Sequence, residues 1–193
     1  MKHYLDWPFF DDAHRQLADG ATSWSALHLS DAYDSDIDNT CRMLVKSLGT
    51  AGWLRYCVAA EDGGALSKID ARAICLLRET LAYRSALADF SFAMQGLGSA
   101  AISLFGNTAQ KSAYLPRVAN GAAIAAFALS EDEAGSDAAA LRMTAVLQGE
   151  TWILNGEKTW VSNGGVADFY VVFARSEISE KSAARSISAF IVD

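Results

Sequence analysis

The stretch VANGAAIAAFALSEDEAGSD, Val118–Asp137, is where the chain changes character. Before Asn120-Gly121, apolar residues recur at helical spacing, and that pair is a helix stop. Beyond it come short runs rich in β-branched and aromatic residues, split by turn residues: AAIAAFALSE, LRMTAVLQG, TWILNGEKTWVSNGG, DFYVVFARS and SISAFIVD. Asn155-Gly156 and Asn163-Gly164 carry the two-residue hairpin signal. Helices in one block and strands in the next give an α+β chain. The expected architecture is an all-α helical bundle over residues 1–121, followed by a partial antiparallel β-sandwich or barrel over residues 122–193. Such a half-sheet leaves an apolar face and an unpaired edge open to a covering element.

Working back from Gly121, the helices announce their ends. Asn107 or Thr108 caps AQKSAYLPRVA, with Pro116 near its last turn. The Gly- and Pro-free run Ile69–Gln95 reads as a long helix with a break between Ser85 and Asp89. Ser67 with Asp70 reads as a capping-box variant at its start, and Ile69, Ala73, Leu76, Leu77 and Leu81 form its apolar stripe. The small residues of MQGLGSAAISLFGN suggest tight helix packing. Further upstream, Asp36 caps a helix that Gly49 should stop, and Asp11 or Asp12 caps the first helix.

Bulk properties narrow the function. The chain has 193 residues, is 51% hydrophobic and carries a formal net charge of -7. That size and composition fit a folded chain with a substantial core. The acidic balance argues against nucleic acid or an anionic membrane as a partner, since both require a basic face. No run approaches the ~20 apolar residues of a membrane span, and the N-terminus has no signal-like apolar run. The expected compartment is the cytoplasm. Cys41, Cys57 and Cys75 lack a C-x-x-C spacing and read as buried free thiols. His3, His14 and His28 lack a paired carboxylate motif, so no metal site is expected.

Two stretches exceed what a plain fold needs. In FALSEDEAGSD, Phe127–Asp137, a strand opens into an acidic loop ending in Gly-Ser-Asp. Free backbone N–H groups and a Ser hydroxyl there suit a pyrophosphate, but Glu131, Asp132, Glu133 and Asp137 would repel it unless they turn outward; a solvated turn is the other reading. In LNGEKTWVSNGG, Leu154–Gly165, Trp160 stands two residues before Ser162, just ahead of a glycine-rich turn. Residue type alone leaves Trp160 readable as a core aromatic and Ser162 as the first residue of a turn.

Taken in order, these two stretches resemble the acyl-CoA dehydrogenase family. Its members carry a strand ending in Thr or Ser, then Glu, then a loop ending Ala-Gly-Ser-Asp, and later Asn-Gly-x-Lys-x-Trp-Ile-Thr/Ser-Asn. LFGNTAQKSAYLPRVANG and AEDGG resemble two further segments of that family, so the likeness extends over roughly residues 5–193. The resemblance implies FAD as cofactor and an acyl-CoA thioester as substrate. Phe127, Leu129, Ser130, Trp160, Val161 and Ser162 would then bound the flavin ring. Trp160 would shield it from water, and Ser162 would hydrogen-bond near the hydride-accepting nitrogen, worth about 1 kcal/mol net. Gly135 and Ser136 would lie near the pyrophosphate, Ser136 also near the CoA end of the substrate. Met94, Gln95, Gly96 and Leu97 fall where family helices line the acyl chain, although Met and Leu at helical spacing are as readily plain core. The implied chemistry is α,β-dehydrogenation of the thioester, with electrons passing to an electron-transfer flavoprotein.

Two departures qualify the likeness. Asp132-Glu133 replaces the family's usual Pro-Gly, adding negative charge beside two phosphorylated ligands. Members also run to nearly twice this length and add a C-terminal helical domain that supplies the carboxylate base, much of the FAD adenosine site and the oligomer interface. The sequence therefore offers no catalytic base. It reads as an N-terminal portion that needs a complementary chain or a longer parent, in a homo- or hetero-oligomer. The alternatives are a non-enzymatic acyl-CoA-binding or dimerisation module, or an inactive remnant.

Overall fold

Five helices open the chain, each fixed at its start by a short polar side chain. A computed structural model describes residues 3–30, 35–176 and 183–193. The helices are α1 (Asp12–His28), α2 (Ile37–Thr50), α3 (Ala71–Arg84), α4 (Ala86–Phe105) and α5 (Thr108–Ala119). Asp11, Asp36, Asp70, Ser85 and Asn107 each accept a hydrogen bond from a first-turn amide, satisfying a donor that the helix cannot. Asn107 and Gln110 do so reciprocally, at 2.9 Å in both directions. Ser85 also ends α3, so the predicted break falls on a single residue.

Two helix-end expectations need correction. Asp70 caps α3 alone, without Ser67, and Ile69 lies outside the helix. Arg72 forks onto the Asp70 carboxylate at 3.1 and 2.7 Å, and His14 reaches it from α1 at 3.3 Å, which fixes Asp70 as the cap. Gly49 does not stop α2, which runs on to Thr50. It is a glycine because α2 crosses the end of α5 there: a β-carbon would meet the Asn120 carbonyl oxygen at 2.3 Å.

The strands follow as β1 (Ala125–Ala128), β2 (Thr144–Gln148), β3 (Thr151–Asn155), β4 (Phe169–Arg175) and β5 (Ile187–Val192). The sheet is mixed rather than wholly antiparallel. β1 runs parallel to β4, from Ala125 opposite Phe169 to Ala128 opposite Val172. β5 pairs antiparallel on the other side of β4, and β2 meets β4 only at Thr144 and Arg175. The long connection between β1 and β4 supplies the crossover that a parallel pair requires. The single tight hairpin among the described residues joins β2 to β3 through Gly149-Glu150, with Gln148 opposite Thr151. Neither Asn-Gly pair makes a hairpin. Gly156 takes φ 146° where the chain leaves β3, and Asn163 takes φ 63° inside a loop.

Helices and sheet meet where α4 lies across β1. Gly98 allows the contact, since a β-carbon there would lie 2.6 Å from that of Ala125. Ala123, Ala125, Ala126 and Ala128 are all buried, so β1 presents a flat surface to the helix. Gln95 is fully buried in the same contact. Its amide donates to the Ala123 carbonyl at 2.7 Å and accepts from the Ala125 N–H at 2.9 Å. Leu48, Leu54, Leu77, Phe92, Leu115 and Phe169 complete one continuous core, each buried side chain worth about 1.5–3 kcal/mol.

Elsewhere apolar groups stay outside. Val146, Leu147, Trp152 and Ile153 of the β2–β3 hairpin are each more than 40% exposed, which agrees with the expected open sheet face. Cys41 and Cys57 are buried, and burial pushes the Cys57 thiol up to about 12. Cys75 is exposed, contrary to expectation, because its place on α3 faces away from the core.

Candidate active site

The candidate site is built where β1 runs out. Leu129 and Ser130 follow the strand and are half-buried, and residues 157–166 fold back across them. Three hydrogen bonds strap that loop down. Asn163 donates its side-chain amide to the Ala125 carbonyl at 2.9 Å, Lys158 donates its ammonium to the Leu129 carbonyl at 2.9 Å, and the Thr159 amide donates to the Ser130 carbonyl at 2.9 Å. From α2, Arg42 adds a bond to the Val166 carbonyl at 3.0 Å. The loop bearing Trp160, Val161 and Ser162 thus lies against the strand bearing Phe127, Leu129 and Ser130.

Trp160 is the unusual residue of this loop. It adopts φ 56°, a left-handed conformation uncommon for any residue but glycine and costly for a bulky one, and its side chain is 89% exposed. A core aromatic does neither. Val161 and Ser162 beside it are half-buried. The hydroxyls of Ser130 and Ser162 make no hydrogen bond among the described residues. Phe127, half-buried, leans on Phe173 with ring centroids 5.0 Å apart.

The acidic loop resolves part of the charge problem. Glu131 turns inward and is nearly buried. It receives Lys158 at 2.8 Å, the Arg142 amide at 2.6 Å and the Met143 amide at 2.9 Å. Burial pulls its pKa upward, but Lys158 and the two amides outweigh burial and hold it below the usual glutamate value. Glu133 pairs with Arg142 at 2.6 Å. Gly135 and Ser136 are exposed, and a β-carbon at Gly135 would meet nothing within 4 Å, so no neighbour closes around that pair.

The four α4 residues separate. Gly96 and Leu97 line an apolar groove of about 410 Å³ between α3 and α4, with Cys57, Ile74, Phe92 and Leu104. Gln95 faces the other way, its amide spent on β1, and Met94 is half-buried outside the groove lining. Sequence reasoning passed over Lys158, Asn163 and Arg42. The signal for the first was a lone cation between two Asn-Gly pairs, two residues before Trp160.

Comparison with known proteins bears on this geometry. The family model for the acyl-CoA dehydrogenase N-terminal domain matches residues 11–122, and that for the middle domain of the same enzymes matches residues 126–193. The chain belongs to the acyl-CoA dehydrogenase family. Among curated relatives, the mitochondrial very long-chain specific acyl-CoA dehydrogenase of Rattus norvegicus is 46% identical over 106 residues, 52% of this chain and 16% of the relative. Butyryl-CoA dehydrogenase of Megasphaera elsdenii superposes with a TM-score of 0.81 at 27% identity, covering 95% of this chain and 49% of that one. An acyl-CoA dehydrogenase of Bacillus anthracis, solved in complex with FAD, gives 0.79 at 32% identity, covering 95% and 31%. The chain therefore spans half or less of the length of each of these acyl-CoA dehydrogenases.

The residues present fit a flavin as this family's cofactor. An exposed indole on a strained backbone offers a flat apolar wall, and on the same loop and the facing strand end Ser162 and Ser130 offer hydroxyls with no hydrogen bond among the described residues. The described residues offer no free carboxylate of matching quality inside the strapped site: Glu131 is committed to Lys158 and two amides.

Proposed function

We propose that this chain forms the flavin- and thioester-facing wall of an FAD-dependent acyl-CoA dehydrogenase. The observation that carries the reading is Trp160, held exposed at φ 56° on a loop strapped to β1. Bound FAD would supply the two-electron chemistry by which the α,β-bond of an acyl thioester is oxidised. This chain's residues shape the site. Trp160 covers one face of the ring and excludes water. Ser130 and Ser162 donate or accept hydrogen bonds at its edge, with Val161 placing the backbone between them. Phe127 and Leu129 supply the apolar floor. Gly135 and Ser136 lie open for the phosphorylated ends, Ser136 also serving the CoA moiety. Gly96 and Leu97, with Met94 nearby, offer the acyl chain an apolar surface, whereas Gln95 supports β1 from behind.

The same proposal divides the chain into a helical part, residues 1–121, and a flavin-facing part, residues 122–193. The α-proton base comes from a complementary chain or a longer parent, in a homo- or hetero-oligomer, and an electron-transfer flavoprotein accepts the electrons. A cytoplasmic location accords with three free thiols. No helix among the described residues is long and apolar enough to cross a membrane.

A second reading, acyl-CoA binding without oxidation, draws support from the commitment of Glu131 to its ion pair. The visible absorption spectrum separates the two. The chain is incubated with excess FAD, desalted, and then mixed with a medium-chain acyl-CoA. Retained flavin bands support the flavin wall, and bleaching by the thioester would add a base within this chain. A folded chain that binds acyl-CoA but stays colourless at saturating FAD overturns the first reading in favour of the second.

A further inference from the structure

Lys158 and Glu131 form an ion pair whose side chains are only 7% and 11% exposed, although they lie 27 residues apart and between two surface loops. Breaking such a pair is costly, but its presence is weak support for stability, since apolar residues often serve as well. Its geometry does something an apolar pair cannot. Lys158 Nζ bridges the Leu129 carbonyl and the Glu131 carboxylate, and Glu131 receives the amides of Arg142 and Met143 through its two oxygens. One ammonium therefore joins the end of β1, the approach to β2 and the loop leaving β3. Two residues after Lys158 stands Trp160, at φ 56°. Gly156, two residues before Lys158, passes so close to Met143 that a β-carbon would meet the Met143 Cα at 2.8 Å. With Asn163 bonded to the Ala125 carbonyl beyond it, the loop is held on both sides of Trp160.

We propose that Lys158 and Glu131 are positioning residues: a latch that holds Trp160 in its exposed, left-handed conformation before any cofactor arrives, so that the wall is preorganised for a planar ring. The strain at Trp160 persists only while its surroundings over-determine it, and the latch is the charged part of those surroundings. The effect on cofactor affinity rests on the flavin reading above; the effect on the free chain does not.

The test uses the full 193-residue chain labelled with fluorotryptophan. Of its five tryptophans, Trp160 is assigned by the Trp160→Phe variant. The variants are Lys158→Met, Lys158→Met with Glu131→Gln, and Lys158→Arg. Lys158→Met leaves Glu131 buried without a cation and should lower the melting temperature; the double variant should recover much of that loss. A latch predicts that the Trp160 fluorine resonance shifts or broadens in the single and double variants alike, with the other four unmoved, and that Lys158→Arg restores it. It also predicts FAD binding weakened roughly tenfold in both Met-containing variants. If the double variant recovers stability and keeps the wild-type Trp160 resonance, the pair is structural only and the latch is wrong. If the wild-type chain binds no FAD, the flavin reading fails, while the resonance in the free chain still decides the latch.

Discussion

Asn163 donates its side-chain amide to the carbonyl of Ala125 at 2.9 Å, joining residues 38 positions apart, and both groups are buried. Asn163 also occupies the left-handed region at φ 63°, which asparagine tolerates better than most residues. Replacement by alanine removes the donor and puts a less tolerant residue at that φ. Asn163→Ala should cost about 2–4 kcal/mol of unfolding free energy. Asn163→Gly should cost less, since it loses only the hydrogen bond. Urea denaturation checks both, and equal losses would show that the conformation contributes nothing.

Gln95 presents the same problem from the helical side. Its amide satisfies the Ala123 carbonyl just before β1 and the Ala125 N–H of β1, and nothing wet can reach them. Gln95→Leu keeps the volume and strands both groups, so a loss of about 2–6 kcal/mol is expected. Gln95→Glu should be the more revealing variant. A carboxylate cannot donate to Ala123, so it should behave well only when protonated. Denaturation at neutral and at mildly acidic pH would show the gap narrowing as pH falls; a constant gap would contradict the assigned bonds.

Acid should act through two carboxylates whose folded-state pKa values are depressed. Arg72 holds Asp70 far below the usual carboxylate range, chiefly by its side-chain hydrogen bonds, with His14 adding to it. Burial pulls Glu131 upward, but Lys158 and two amides leave it lowered on balance. For such groups the stabilisation is full above the unfolded-state pKa and is lost as pH falls through the folded-state value. The melting temperature should therefore fall below the ordinary carboxylate range, with the Asp70 contribution the last to go. Glu131→Gln should give a shallower acid limb. Superposable limbs for the variant and the parent would refute the assignment.

Trp160 should trade stability against function. Glycine takes φ 56° at no steric cost, so Trp160→Gly relieves strain, while it loosens the unfolded chain. The indole, 89% exposed, gives up little packing. A change of about 1 kcal/mol or less in stability is expected, together with loss of flavin uptake. A large destabilisation would mean that the indole packs in the free chain.

Much of this was legible from residue patterns because it is local. Asp11, Asp36, Ser85 and Asn107 sit immediately before apolar helical repeats, and Asn120-Gly121 ends the last one. The errors are non-local. Gly49 looks like a stop until Asn120 is brought against it. Asn155-Gly156 looks like a hairpin until Met143 occupies the space beside Gly156. The parallel pairing of β1 with β4 has no marker in either strand, since both read as short apolar runs. At the candidate site, the motif pointed to Trp160 and Ser162. It could not point to Asn163 or Gln95 as clamps, because the groups they satisfy are main-chain atoms whose positions only the fold supplies.

The connection between β1 and β4 also bears on how the chain assembles. The β2–β3 hairpin, Thr144–Asn155, closes through two residues and can form within about 1–10 microseconds once it is synthesised. β1 has no sheet partner until Phe169–Arg175 has been synthesised, so on a ribosome it must wait several seconds. During that wait its protection comes from α4, which is made first and already carries Gln95 and Gly98 at the place where β1 will lie. An intact helical bundle should therefore shield the first strand until β4 arrives. A slowed translation through residues 130–168 should be tolerated, whereas a weakened α4 face should expose the alanine-rich strand to aggregation before the native chain is complete.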